Sequence, residues 1–324
     1  MKISSGVTVD VFVSEAARHE AMEDDIRKGL SEPPRTIPPV WFYDEVGSLL
    51  FDEITRLPEY YLTRAEKSIL EERSTEIIER SEADTLVEIG SGTSEKTRLL
   101  LDAMSASGSL RRIVLLDISE EILRQAAAEL HSRYSVPVHA VVGDLRYDLD
   151  RLPVEGRRLW AFLGSTIGNF DPHERVDLLA HFSSAMAPGD ALLLGTDLRK
   201  DPARLMAAYD DAAGVTARFN LNVLSVLNRE LEADFDPSAF EHRAVWNPAG
   251  GWIEMRLRSR SEQKVHFANL DLTIAIGEGE ELLTEISSKF DPRTFPGELS
   301  SAGLCPEDSY LDQAGDFLLT LARR

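Results

Sequence analysis

"TLVEIGSGTSEKTRLLLDAMSA", Thr85 to Ala106, decides how this chain folds. "TLVEIG" is a short apolar run ending on glycine, and "SEKTRLLLDAMSA" carries apolar residues at helical spacing. A strand, a tight turn and a helix in that order open a parallel α/β sheet. The turn admits three readings. From Gly90, "GSGTSEKT" is one residue away from the phosphate-loop pattern G-x-x-x-x-G-K-[ST]. Gly90 and Gly92 also begin a dinucleotide fingerprint, G-x-G-x-x-G. With Glu88, the stretch is E-x-G-x-G, a turn that lets backbone touch a cofactor's amino-acid tail.

Downstream the alternation continues. "RIVLLDIS" is a strand and "EEILRQAAAELHSR" a helix; "VPVHAVVGD" and "RLWAFLGST" are strands, "DPHERVDLLAHFSSAM" a helix and "DALLLGTDL" a strand. Apolar strands with amphipathic helices between them imply a doubly wound α/β sheet built with right-handed crossovers. Upstream, the N-terminal third reads as helical: "SEAARHEAMEDDIRKGLSE", then "WFYDEVGSLLFDEITRL" with an interruption at Gly47, then "RAEKSILEERSTEIIERS". Thr63 is the expected cap of the third helix, with Glu66 completing a capping box. After Lys200 the pattern changes to a helical stretch, a hairpin turning at Pro248 to Gly251, and the strands "VHFANLDLTIAI" and "LLTEISSKF". The C-terminal "FPGELSSAGL" and "DFLLTLARR" return to helix and strand and finish the α/β sheet. The expected organisation is discontinuous: residues 64–200 and 290–324 form the α/β domain, and 12–63 with 201–289 form an α+β second domain.

Composition sets outer limits. With 324 residues, 43% hydrophobic and 28% charged, the chain has the make-up of a globular protein. No apolar run reaches membrane-span length, and the first twenty residues lack the succession of an export signal. The lone Cys305 suits a reducing cytoplasm and reads as a small half-buried thiol. A net charge of −21, from 56 acids against 35 bases, repels phosphodiester backbones and tolerates small cations. No nucleic-acid or membrane partner is expected. The seven histidines are scattered without metal-ligand spacing, and "GSTIG" around Ser165 lacks the order of a nucleophile elbow.

The ligand of the turn follows from charge. Glu95 stands where the phosphate loop needs its second glycine and where the dinucleotide fingerprint needs its third. A carboxylate there faces polyanionic charge, whereas a cationic sulfonium cofactor without phosphates accepts an acid at a helix start. Asp117 ends the next strand, placed to grip a ribose diol, and Asp144 ends the one after, placed to accept from an adenine amine with Leu145 on the ring. Each aspartate alone is more often a helix cap; the three successive strand ends together favour S-adenosylmethionine.

"WFYDEVGSLLFDEITRLPEYYLTRAE", "VEIGSGTSEKT", "FLGSTIGNF", "LLLGTDLRKD", "AYDDAAGVTARFNLNVL" and "LLTEISSKF" together resemble the bacterial histidine Nα-methyltransferases of ergothioneine biosynthesis. The resemblance covers nearly the whole chain apart from the first dozen residues. It implies a Rossmann-like class I methyltransferase sheet and S-adenosylmethionine as cofactor. It also implies three methyl transfers to the α-amine of L-histidine, giving hercynine, in a cytoplasmic monomer. Fungal relatives acting on a tryptophan derivative keep a related aromatic amino acid open as substrate. Carried over by position, cofactor contacts fall on Tyr43, Gly90, Lys96, Asp117, Asp144 and Leu145, the last replacing a phenylalanine of the family. Amino-acid contacts fall on Tyr60, Gly164, Asn169, Tyr209, Met255, Glu285 and Ser287, with Tyr43, Tyr60 and Asn169 at the reacting atoms.

The residues themselves support these roles unevenly. Asn169 is as readily a turn asparagine before Asp-Pro, Tyr209 a half-buried helical tyrosine, and Met255 a core residue alternating with Ile253 and Leu257. Only the resemblance selects Tyr60 over Tyr61. In "LLTEISSKF", alternation puts Leu283, Glu285 and Ser287 on one face, where an acid and a hydroxyl can grip both imidazole nitrogens. The bland alternative is a solvated polar face. A nicotinamide-dependent oxidoreductase or a non-catalytic cofactor-binding protein are the rivals from other classes; Glu95 argues against the first, and scattered amino-acid contacts favour the second.

Overall fold

A computed structural model describes residues 6–90, 94, 96–153 and 155–324, together with the backbone of 2–4. Gly92 and Glu95, on which two readings of the glycine turn depend, lie outside the described residues. The chain divides into two compact units, one of residues 1–13, 64–199 and 290–324, the other of 14–63 and 200–289.

In chain order the elements up to the middle are β1 (Lys2–Ser4), β2 (Val7–Val11), α1 (Glu15–Leu30), β3 (Arg35–Thr36), α2 (Glu45–Thr55), α3 (Leu62–Ser81), β4 (Thr85–Ile89) and α4 (Thr97–Ala106). Then come β5 (Arg112–Asp117), α5 (Glu120–Tyr134), β6 (Val138–Val142), β7 (Arg158–Phe162), α6 (Pro172–Ala185), β8 (Ala191–Asp197), α7 (Pro202–Tyr209) and α8 (Val215–Glu230). The remainder is β9 (Phe240–Asn247), β10 (Trp252–Ser259), β11 (Gln263–Phe267), β12 (Leu272–Ile276), β13 (Glu281–Ser288), α9 (Phe295–Ser301), β14 (Cys305–Leu311) and β15 (Phe317–Arg323).

The first unit is built on a nine-stranded sheet ordered β1-β2-β6-β5-β4-β7-β8-β15-β14. Strands β2 through β8 pair in parallel, and β15 runs antiparallel to β8. Every residue of β4, β7 and β8 is buried, as a parallel sheet covered on both faces requires. The chain steps from β4 to β5 and β6 on one side, then to β7 and β8 on the other. That reversal between β4 and β7 is the switch point at which doubly wound sheets take ligands. The α/β reading of the sequence therefore holds, with Trp160, Phe162, Phe182, Leu192 and Phe295 in the packed core.

The N-terminal third is not wholly helical. "VTVDV" forms β2 and extends the sheet beside β6, burying Val7 and Val9. The second expected helix splits. Pro39–Phe42 form a separate 3-10 turn, and Asp44 starts α2 by accepting the Gly47 N–H at 2.7 Å. Gly47 lies inside the helix rather than interrupting it, and the position takes glycine because a β-carbon there would meet the Phe42 carbonyl oxygen at 1.8 Å. The third helix begins at Leu62, one residue before the expected cap Thr63, so Glu66 belongs to no capping box. Helix α4 starts at Thr97, later than Ser94, and Thr97 is buried.

The second unit holds a four-stranded sheet, β3-β13-β10-β9, and a hairpin of β11 and β12. Helices α2 and α8 pack in it around Phe42, Phe51 and Phe219. No helix among the described residues is long and apolar enough to cross a membrane.

Candidate active site

At the carboxyl edge of the sheet in the first unit, β4 ends on Gly90, whose φ of +70° belongs to glycine and whose N–H reaches the Leu116 carbonyl at 2.9 Å. Among the described residues nothing lies within 4 Å of where a β-carbon would sit on Gly90. Glu88, one residue inside β4, is buried and accepts from the hydroxyls of Ser94, at 2.6 Å, and Thr97. It thus ties Ser94 and the start of α4 to β4. Burial pushes its carboxyl up to about 7, opposed by those two hydroxyls and by Lys96, and reinforced by Asp117. Asp117 closes β5 and accepts the Ser119 N–H at 2.9 Å. Asp144 lies two residues beyond β6 and takes Arg146 on both oxygens, at 2.6 to 3.1 Å. An adenine amine would share that carboxylate with the guanidinium, using its remaining lone pairs. Leu145 packs against the sheet core. Carboxylates at three successive strand ends oppose a pyrophosphate and suit a cationic cofactor lacking phosphates.

Beyond β7, Gly164 (φ +76°) and Ser165 (φ 58°) turn the chain sharply. The Ser165 hydroxyl accepts the Asp197 N–H at 2.9 Å, and Thr166–Asn169 form a 3-10 turn. Asp171 then opens α6 with a capping box through Glu174. Asn169 is therefore held, half-buried, between two fixed turns at the edge where β4 and β7 part.

The remaining candidates gather in the second unit. Tyr43 sits between the 3-10 turn and the Asp44 cap, with Phe51 and Phe219 rings each 5.7 Å away. Phe51 meets Tyr60 at 6.3 Å, and Tyr60 meets Tyr209 at 6.1 Å, both edge-on. Tyr61 differs: its hydroxyl bonds Lys200 at 2.7 Å and its ring carries Arg204. The Tyr209 phenol lies 2.7 Å from the Ser287 hydroxyl, and the buried Lys289 ammonium donates to both oxygens at 2.9 Å. His242 fixes the other end of Tyr209, its Nε2 lying 2.7 Å from the backbone carbonyl. That places a donor on Nε2, so Nδ1 accepts from the Asn220 amide at 2.8 Å. Burial holds His242 below its ordinary value, consistent with a neutral ring.

The strand "LLTEISSKF" departs from simple alternation. Met255 pairs with Glu285, but Arg256 pairs with Leu283, leaving Thr284 as an extra residue. This is a β-bulge, and its hydroxyl donates to the Met255 carbonyl at 2.9 Å. Cross-strand partners share a face, so Glu285 and Ser287 lie with Met255 and Ile253, and Leu282 joins them opposite Leu257. Leu283, expected beside Glu285, is turned to the other face. The polar face is also buried rather than solvated: Glu285 and Ser287 are 9% and 4% exposed. Burial pushes the Glu285 carboxyl up to about 7, with Lys289 pulling it down.

Gly90, Lys96, Asp117, Asp144, Leu145, Gly164 and Asn169 thus belong to the first unit, and Tyr43, Tyr60, Tyr209, Met255, Glu285 and Ser287 to the second. Sequence reasoning missed Lys289, His242 and Glu66. Lys289 had a signal, since period-two spacing from Glu285 and Ser287 reaches it directly. His242 lies on β9 with no local pattern to mark it, and Glu66 was hidden by a false capping motif.

Residues 22–324 match the profile of a family described as "Histidine-specific methyltransferase, SAM-dependent". The histidine N-alpha-methyltransferase of Mycobacterium tuberculosis is 54% identical over 98% of this chain and 99% of its own length. That of Mycolicibacterium smegmatis is 55% identical over 94% of this chain and 95% of its own. Ergothioneine biosynthesis protein 1 of Neurospora crassa is 32% identical over 72% of this chain, which spans 29% of that longer protein. With a family match across most of its length and a strand-end glycine beside strand-end acids, the chain belongs to the histidine-specific, S-adenosylmethionine-dependent methyltransferases.

Proposed function

We propose that this protein transfers three methyl groups to the α-amine of L-histidine, giving the betaine hercynine for ergothioneine synthesis, as a cytoplasmic monomer. The observation that carries the choice of amino acid is the buried pair Glu285 and Ser287 on the bulged strand, facing Met255. An imidazole offers one nitrogen donor and one acceptor and can bond both groups, whereas an indole offers a single N–H donor and no acceptor, so it cannot engage both.

When bound, S-adenosylmethionine supplies an electrophilic methyl carbon for an in-line displacement that needs no covalent enzyme intermediate. The chain's own residues align and desolvate. Asp117 holds the ribose hydroxyls, Asp144 and Leu145 the adenine, Gly90 and Lys96 the amino-acid tail. Asn169, Tyr60 and Tyr209 hold the substrate carboxylate with neutral groups, which leaves the α-amine free to lose its proton before attack. Alignment of this kind supplies about 7–11 kcal/mol of barrier lowering when geometry is good.

The direct test incubates the full-length protein with histidine and methyl-labelled cofactor. Mass spectrometry should show a product carrying three labelled methyl groups. Unmodified histidine alongside methylated tryptophan would reverse the assignment.

Lys289 gives a second expected result. Its charge pulls the Glu285 carboxyl down, so Lys289→Met lets that carboxyl rise further above about 7. The ionised form then exists only at higher pH, and the acid limb of kcat/KM for histidine moves upward. Lys289→Arg should keep the limb in place. A pH–rate profile of the three proteins decides this, and an unmoved limb in Lys289→Met removes the role.

A further inference from the structure

Glu66 is a carboxylate with no exposed surface, lying on the buried face of α3 with Ile69, Leu70 and Ile77. A buried charge is costly unless every oxygen finds a partner. Here the partners are two residues the resemblance assigns to different ligands. The Lys96 ammonium pairs with one oxygen, and the Gly164 N–H donates to both, at 2.8 and 3.0 Å. The triangle closes, because the Lys96 ammonium lies 3.5 Å from where a β-carbon on Gly164 would stand. Strand β8 also makes room for it. A β-carbon on Gly195 would lie 2.3 Å from a Glu66 oxygen, so this fully buried strand carries glycine at the one place where the carboxylate enters.

We infer that Glu66 is a positioning residue: it holds Lys96 of the cofactor turn and Gly164 of the turn leading to Asn169 as a single preset unit. Without it, Lys96 loses a buried anchor and swings toward solvent, and the Gly164 amide loses its acceptor. A carboxylate that merely pinned α3 to the sheet would have no reason to choose partners on both ligand-bearing turns.

This rests on the cofactor reading, and the test separates the two. The full-length protein and its Glu66→Gln, Lys96→Met, double and Gly195→Ala variants are titrated with S-adenosylhomocysteine by calorimetry, and their melting temperatures are taken without ligand. Glu66→Gln keeps an acceptor for Gly164 but loses the ion pair, and should weaken the ligand about tenfold. Lys96→Met should weaken it similarly, and the double variant no further, since one residue acts through the other. Gly195→Ala displaces the carboxylate without changing charge and should weaken binding as well. Native affinity in Glu66→Gln with only a lowered melting temperature, or fully additive losses in the double variant, overturns the inference. A native protein that takes up no S-adenosylhomocysteine overturns the cofactor reading with it.

Discussion

Changing Glu285→Ala together with Met255→Val should lower kcat/KM for histidine about 100-fold and open the enzyme to tryptophan. In the proposed complex the carboxylate would supply a charge-assisted hydrogen bond to the imidazole, and such bonds contribute about 1.5–3 kcal/mol, or roughly 10- to 150-fold in rate. Its removal also relieves a penalty. A carboxyl raised to about 7 by burial is already poorly solvated, and an indole's larger ring with its single N–H fits it less well than an imidazole. Met255 stands directly across the strand pair from Glu285, so shortening it enlarges the same space that the alanine empties. Competition assays with both amino acids provide the measurement. Unchanged histidine turnover with no gain for tryptophan would falsify the specificity assignment.

The second large effect is expected from Asp117→Ala. Two charge-assisted hydrogen bonds to a ribose diol, at about 1.5–3 kcal/mol each, amount to about 3–6 kcal/mol, or roughly 10²- to 10⁴-fold in affinity. Calorimetry with S-adenosylhomocysteine reads this directly. The substitution has a second signature. Asp117 helps raise the Glu88 carboxyl, so its loss should bring Glu88 down from about 7, while the Ser119 N–H loses its acceptor. Near-native affinity for the nucleoside would remove Asp117 from the cofactor site.

The parts of the fold that were legible in sequence are those where burial leaves one choice. Strands β4, β7 and β8 are continuous apolar runs closed by glycine or aspartate, and their neighbours follow from connection rules. β2 was not legible, because five residues alternating valine with polar groups carry little signal until β6 stands beside them. β14, "CPEDSYL", reads as a loop: it contains proline and two acids, and only Tyr310 is buried. An edge strand tolerates all three. At the site, the strand-end acids Asp117 and Asp144 were visible from sequence, since strand ends in such sheets converge. Glu66 was not, because Thr63 and Glu66 satisfy a local pattern that packing overrides. The Glu285–Ser287 pairing was anticipated, but its apolar companion was not. Alternation assumes an unbroken ladder, and no residue type in "LLTEISS" announces that Thr284 is the one skipped.

That skipped residue has a consequence for how such a pocket changes over evolutionary time. By absorbing one residue, the bulge uncouples the two halves of β13, so Leu282 and Leu283 can keep their places whatever happens beyond them. Deleting Thr284 would join Leu283 directly to Glu285 and close the bulge into a regular ladder, with Leu282, Glu285 and Ser287 still on one face. New preferences are therefore reached by exchanging side chains on a frame whose facing survives even the loss of that one residue.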